Sequence, residues 1–174
     1  IPPIDDPAGL LGGIRHPHFY KTHGRHTSTN IIFLHRHVGD VLLSEWWYKK
    51  KMWDEKRPLD QYLFDVDYGR EWREYVDFYY PAVMNLRYDG LGDPDTYRPF
   101  ARFSTEYILE AIRKSTFDKM REAEEGGFGF YPSGDLTIKF CREGKSGQWK
   151  KWPEPWQKHL LELNQTQLKK LGYA

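Results

Sequence analysis

The chain has 174 residues, a length that suits one domain, and its 17% aromatic content excludes a disordered tail, since disordered segments are poor in aromatic side chains. A formal net charge of +1 excludes a strong overall field that would collect nucleic acid, and a single cysteine excludes both a disulfide framework and a zinc site made of cysteine alone. The sequence contains no apolar run near the roughly 18–20 residues that a membrane-spanning helix needs.

Residues 1–29 are predicted to form an extended N-terminal arm. They show no apolar period and are rich in proline and glycine. Such ends usually fray in isolated domains, so we expect a neighbouring chain to hold the arm. The first residue is Ile1 instead of methionine, which favours a protein that has lost a leader during import into an organelle or during export. Residues 30–174 are predicted to form a single, mostly helical domain.

The first predicted helix runs from residue 41 to about residue 56. Asp40 is the expected N-cap, and tryptophans follow at helical spacing. Gly39 indicates a break before this helix. The stretch 30–38 either continues the helix upstream or forms a strand.

Three further helices are predicted from apolar spacing and from their stop signals. A short helix covers about 69–80 and is ended by Pro81. A long helix covers 105–125, with Ser104 as its cap and two glycines after it. The last helix begins near Pro155, since proline is favoured in a first turn.

A β-hairpin is predicted at about 127–142, where alternating apolar residues flank a proline- and glycine-containing turn. A two-stranded hairpin is marginally stable alone, so it must lie on a helix or on a neighbour. The predicted fold class is therefore mainly α with a small antiparallel β-hairpin, irregular, with a long extended N-terminal arm.

Six of the seven histidines fall within 22 residues, and imidazole is the commonest metal-ligating side chain. Arg36 stands between two of them and raises the local positive charge, which disfavours a bound cation. We therefore expect these histidines to pack against aromatic rings and to hydrogen-bond with the backbone, and we expect no metal or other cofactor. A metal site remains the alternative. Its candidate ligands are His16, His18, His23, His26, His35 and His37.

No catalytic residue is predicted, so we do not expect an enzyme. Cys141 lies in a predicted strand, where a lone cysteine is usually inert packing. Ser133 has turn neighbours and lacks the glycine context of a nucleophilic serine. The glycines at 126–129 follow a helix, the reverse of the order that directs backbone amides at phosphate.

Lysines stand among aromatic residues at 46–53 and at 149–152. This pattern can neutralise phosphates and stack bases, although RNA-binding proteins usually carry more positive charge. It also suits lipid headgroups, where tryptophan and tyrosine concentrate. A third interpretation is that lysine stems cover buried rings. The near-zero net charge disfavours nucleic acid as a partner.

Aromatic clusters are the strongest indication of a binding surface. Tryptophan and tyrosine dominate interface hot spots because each buries about 150–250 Å² with few rotamers to freeze. The alternative is that the clusters share one core. The predicted interface residues are Trp46, Trp47, Trp53, Trp72, Tyr79, Tyr80, Trp149, Trp152 and Trp156.

In general character the chain resembles the accessory subunits of mitochondrial respiratory complexes and ATP synthases. The resemblance rests on the start without methionine, the long arm, the near-neutral charge and the many aromatic residues. It implies a non-catalytic structural subunit, peripheral to the mitochondrial inner membrane, of a large energy-transducing complex. The expected partners are other subunits of a hetero-oligomeric complex, with lipid headgroups as a further contact. Two alternatives stay open: a metal-binding protein or enzyme that uses the histidines of residues 16–37, and a mitochondrial ribosomal or RNA-associated protein.

Overall fold

A computed structural model describes four stretches of the chain, residues 32–82, 84–100, 104–126 and 143–174. The predicted arm at 1–29 and the predicted hairpin at 127–142 lie outside the described residues.

The described residues form six α-helices and two short strands, joined by 3₁₀ turns. In chain order they are β1 (Ile32–His35), α1 (Val38–Met52), α2 (Leu59–Asp65), α3 (Arg70–Tyr79), β2 (Met84–Arg87), α4 (Thr105–Lys114), α5 (Phe117–Glu125) and α6 (Glu154–Lys170). The mainly helical class predicted from the sequence is confirmed.

Within the described residues the small sheet is parallel and not an antiparallel hairpin, so the β-element observed there differs from the predicted one. Strand β1 pairs with β2 in a register that sets Ile32 beside Met84 and His35 beside Arg87. The strands are separated in sequence by α1, α2 and α3, because parallel strands need a crossover connection. Alternation within one stretch of sequence cannot reveal such a long-range pair.

Helix α1 begins earlier than predicted. Residues 32–35 form a strand, and His37 is the N-cap because its ring nitrogen accepts a hydrogen bond from the Gly39 backbone at 3.1 Å. Gly39 therefore lies in the first helical turn, and the predicted break at this residue is wrong. Asp40 is likewise not the N-cap and uses its carboxylate elsewhere.

The long predicted helix at 105–125 is two helices, α4 and α5. The Ser115 hydroxyl donates to the Ala111 carbonyl at 2.8 Å, and Thr116 caps α5 by accepting from the Lys119 backbone. A serine and a threonine thus end one helix and start the next. The Ser104 cap predicted for α4 is confirmed.

Helices α3 and α6 agree closely with prediction, whereas α2 was not predicted. Helix α3 ends in a 3₁₀ turn that contains Pro81, and α6 has Pro155 in its first turn. Helix α2 has seven residues, too few for a clear helical period.

The hydrophobic core joins the early helices to the C-terminal part of the chain. Val38, Leu63 and Leu160 from α1, α2 and α6 are fully buried. The Asn164 side-chain amide, also fully buried, donates to the Tyr68 carbonyl at 2.9 Å. This bond ties α6 to the turn after α2.

Candidate interaction surface

Six of the seven tryptophans lie in or against the core. Trp149 and Trp152 are buried within it. Trp46, Trp47, Trp72 and Trp156 are partly buried and pack against it. Tryptophans from three separate parts of the sequence therefore contribute to one core, and the two buried indoles have little surface to offer a partner.

Trp53 differs from the other tryptophans because 67% of its surface is exposed. It follows the last residue of α1, and its backbone N–H donates to the Lys49 carbonyl at 2.9 Å, which closes the helix. Its ring packs edge-on against Tyr48, with centroids 5.8 Å apart. We call Tyr48, Lys50, Lys51 and Trp53 the α1 terminal surface.

One lysine of this surface, Lys50, covers half-buried rings. The Lys50 ammonium lies 4.8 Å from the Trp46 ring centroid and 5.7 Å from that of Trp47. Trp46 is fixed in turn, because its indole N–H donates to the Arg57 carbonyl at 3.1 Å. Lys50 is exposed, and its ammonium thus makes cation–π contacts with the two rings from the solvent side.

Charge around the α1 terminal surface is positive. Residues 45–57 contain five basic and three acidic side chains, a net charge of +2. Each of the three carboxylates has a basic partner. The pairs are Glu45 with Lys49, Asp54 with Lys56, and Glu55 with Arg57. Within the described part of the chain, Lys50 and Lys51 have no carboxylate at ion-pair distance.

The predicted interface residues of α3 divide between core and surface. Tyr79 is buried and stacks on Phe33, with ring centroids 5.5 Å apart. Trp72 is half-buried and donates its indole N–H to the Arg36 carbonyl at 3.2 Å. Tyr80 lies at the surface. Only Tyr80 of these three is open to a partner.

Two further aromatic residues, which sequence reasoning did not single out, are strongly exposed. Phe64 on α2 is 77% exposed, and Tyr107 on α4 is 63% exposed. Phe64 follows the fully buried Leu63, so α2 turns one face to the core and presents Phe64 on another. Together with Trp53, these side chains are the large aromatic groups that the described fold leaves most open.

His35 and His37 lie in the interior, in contact with the C-terminal Tyr173. The His35 Nδ1 atom is 3.2 Å from the Tyr173 hydroxyl, and the His35 and His37 rings both meet the Tyr173 ring edge-on. The Arg87 guanidinium covers the Tyr173 ring at 4.1 Å from its centroid. These contacts hold the C-terminal residues against the start of α1.

The His37 ring stacks on Trp149 in parallel, with centroids 4.3 Å apart and 8% of the residue exposed. Burial lowers the pKa of His37 from its usual 6.5 to about 4, against the opposing effect of the nearby Asp40 carboxylate. Burial also lowers the pKa of His35, and the Arg87 charge adds to that effect. The charged groups that face His37 are Asp40, Asp89, Arg87 and Lys150.

These two histidines have packing and capping roles, and the remaining metal-ligand candidates lie outside the described residues. Across the described stretches, no group of three histidine, cysteine, aspartate or glutamate side chains could hold a metal ion. The proposed ligands His16, His18, His23 and His26 belong to the stretch before β1, so a metal site there stays a prediction.

Asp40 connects α1 to the loop before α6. Its carboxylate is buried and accepts hydrogen bonds from the backbone N–H of Gly147 at 2.8 Å and of Gln148 at 3.0 Å. It thereby caps the 3₁₀ turn Gln148–Lys151, which carries Trp149. Sequence reasoning missed this role because the partner amides lie over a hundred residues away, and a backbone N–H leaves no mark in the sequence.

Comparison with known proteins finds no matching family model, no matching curated protein and no matching solved structure. None of the helices in the described stretches combines the length and the apolar character needed to cross a membrane.

Proposed function

We propose that the chain is a non-catalytic accessory subunit of a large mitochondrial membrane-associated energy-transducing complex, either a respiratory chain complex or an ATP synthase. In this role it stabilises the assembly through exposed aromatic side chains and through its N-terminal arm.

The observation that carries the proposal is the exposure of large aromatic side chains outside the core, with Phe64 the most open at 77%. Covering most of a phenylalanine or tyrosine removes more than about 100 Å² of surface from water, which contributes roughly 3 kcal/mol at about 25 cal/mol per Å² before the costs of association. Tyr107 offers a similar gain. These side chains have the character of interface anchors.

The mitochondrial placement is supported by the resemblance in composition. The chain is rich in aromatic residues and nearly balanced in charge, and on these features it resembles mitochondrial accessory subunits. Peripheral attachment at the inner membrane is part of the same proposal.

A site-specific crosslinking experiment tests the proposal. A photoreactive phenylalanine analogue replaces Phe64 in the full chain, expressed in its own host, and a second variant carries it at Tyr107. Irradiation of isolated mitochondria is expected to join the chain to a neighbour that mass spectrometry identifies as a subunit of a respiratory complex or of ATP synthase. The same analogue at the exposed Gln165 of α6 is the control.

Native gel electrophoresis supplies the second measurement. The tagged full chain is expected to migrate with a complex of high mass, and deletion of residues 1–29 is expected to reduce the fraction that does so. A chain that migrates alone from mitochondrial extracts, with no crosslink from either aromatic position, would refute the proposal.

A further inference from the structure

We infer that the α1 terminal surface binds the anionic headgroups of a phospholipid bilayer. The inference rests on the proposed function, because it names the surface with which a membrane-associated subunit touches its membrane. The partner is a lipid surface, and the binding groups are Trp53, Tyr48, Lys50 and Lys51.

The aromatic side chains of this surface suit the headgroup layer. Trp53 is the one tryptophan that the core leaves outside, and 67% of its surface is exposed at the very end of a helix. Tyr48 packs edge-on against it and is itself exposed. Indole and phenol rings concentrate at the headgroup level, because one end of each ring is apolar and the other is polar.

The charge of the surface is complementary to anionic lipid. The neighbouring carboxylates are all paired with other basic side chains, so among the described residues neither Lys50 nor Lys51 has a carboxylate at ion-pair distance. The Lys50 ammonium lies over the Trp46 ring and stays exposed, and its positive charge is therefore not neutralised. Lys51 is three residues beyond Tyr48, one helical turn along the same side of α1. Lysine near an anionic membrane surface is attracted to it, and the attraction of neighbouring lysines accumulates.

The geometry favours lipid over single-stranded RNA. A base stacks on an open ring face. The Trp53 and Tyr48 rings meet edge-to-face at 78°, so one ring covers part of the face of the other and leaves less of it for a base. Arg57 carries the nearby guanidinium that could bind a phosphate with two hydrogen bonds, but it is already bonded to Glu55 and Asp65. The groups that are left to bind a partner are lysine ammonium groups and an exposed indole. This combination is typical of a peripheral membrane contact.

Vesicle sedimentation with the full chain tests the inference. We expect binding to vesicles of equimolar phosphatidylcholine and phosphatidylserine, weak binding to phosphatidylcholine alone, and loss of binding as salt rises. The double variant K50Q/K51Q is expected to lower the partition coefficient by about tenfold or more. The matched control K158Q/K169Q removes the same charge from exposed positions on α6 and is expected to leave partitioning nearly unchanged.

Tryptophan fluorescence provides a readout specific to Trp53. On vesicle binding we expect a blue shift of the emission, together with quenching by brominated lipid. Both signals should be largely absent in W53F, although this variant keeps an aromatic ring. Equal loss of binding in the two lysine variants, signals that persist in W53F, or no binding to anionic vesicles at low salt would each overturn the inference. So would RNA binding that depends on Lys50 and Lys51 in the absence of vesicle binding.

The outcomes separate this inference from the proposed function. If vesicles do not bind while Phe64 still crosslinks to a subunit of an energy-transducing complex, the lipid surface is refuted and the accessory role stands. If vesicles bind as expected while the chain migrates alone from mitochondrial extracts and neither aromatic position crosslinks, the accessory role is refuted and the lipid surface stands.

Discussion

Substitution of Gly39 by alanine tests the contact between α1 and the loop before α6. A Cβ atom at Gly39 would lie 2.4 Å from Cγ and 2.6 Å from Cβ of Trp149. Trp149 cannot move aside freely, because it is buried, stacks on His37 and belongs to the turn that Asp40 caps. The added methyl group must therefore displace part of the core.

Two opposing effects set the size of the change. Alanine is favoured over glycine in a helix by about 1 kcal/mol. Overpacking a core costs about 1–3 kcal/mol, and displacement of Trp149 also weakens its stack on His37 and the hydrogen bonds to Asp40. We expect the Gly39→Ala variant to lose about 2 kcal/mol of the free energy of unfolding.

Urea unfolding followed by circular dichroism measures this change. Gly92→Ala is the matched control, because a Cβ atom there meets nothing within 4 Å, and we expect its stability to stay within about 0.5 kcal/mol of wild type. If Gly39→Ala proved as stable as wild type or more stable, α1 and Trp149 would not pack as described and the reasoning would fail.

Three further predictions concern buried polar groups. Asp40→Ala leaves two backbone N–H groups without their acceptor, so we expect a loss of about 2 kcal/mol or more and faster hydrogen exchange at those two amides; unchanged exchange would contradict the capping role. Folding lowers the pKa of His37 from 6.5 to about 4, so the unfolded chain takes up the proton first as the pH falls. The free energy of unfolding should therefore be at its full value above about pH 6.5 and decline by up to about 3 kcal/mol towards pH 4. Unfolding free energies measured over this pH range, with His37→Gln giving a shallower decline, check it, and a flat profile in wild type would disprove it. Asn164→Leu should lose about 2 kcal/mol or more by urea unfolding, since the Tyr68 carbonyl loses its donor, whereas the exposed Gln165→Leu should change little; equal effects would argue against the buried bond.

The helices that sequence reasoning predicted well are those with strong local signals. Helices α3 and α6 combine an apolar stripe with a proline at one end. Ser104 is followed at once by a helical pattern, so its capping role was also visible. In these places the local preference of the chain and the final fold agree.

The features that sequence reasoning missed depend on partners far away in the chain. The β1–β2 pairing depends on helices that bring two distant strands together. Gly39 looks like a helix breaker in sequence, yet the fold uses its missing side chain to admit Trp149. At Ser115 and Thr116 the missed signal was local. The apolar stripe continues across these two residues and predicted one helix, although their side chains end α4 and begin α5.

The sequence predicted which types of residue form the candidate surface, but not which individual residues belong to it. Trp46, Trp53 and Trp149 all lie within three residues of a lysine, so composition alone cannot tell which indole the core will cover. Trp53 stays outside because α1 ends just before it, and Trp149 goes inside because Asp40 holds its turn against α1. Only the three-dimensional arrangement separates them.

The pairing of early and late parts of the chain in one core has a consequence for biosynthesis. Val38 and Leu42 pack in the same cluster as Leu160 and Leu168. A growing polypeptide that has reached only α5 would hold the first half of this cluster open to water, and closure must wait until α6 has emerged from the ribosome. Nascent chains of this protein should therefore expose apolar surface that chaperones recognise until α6 has left the ribosome.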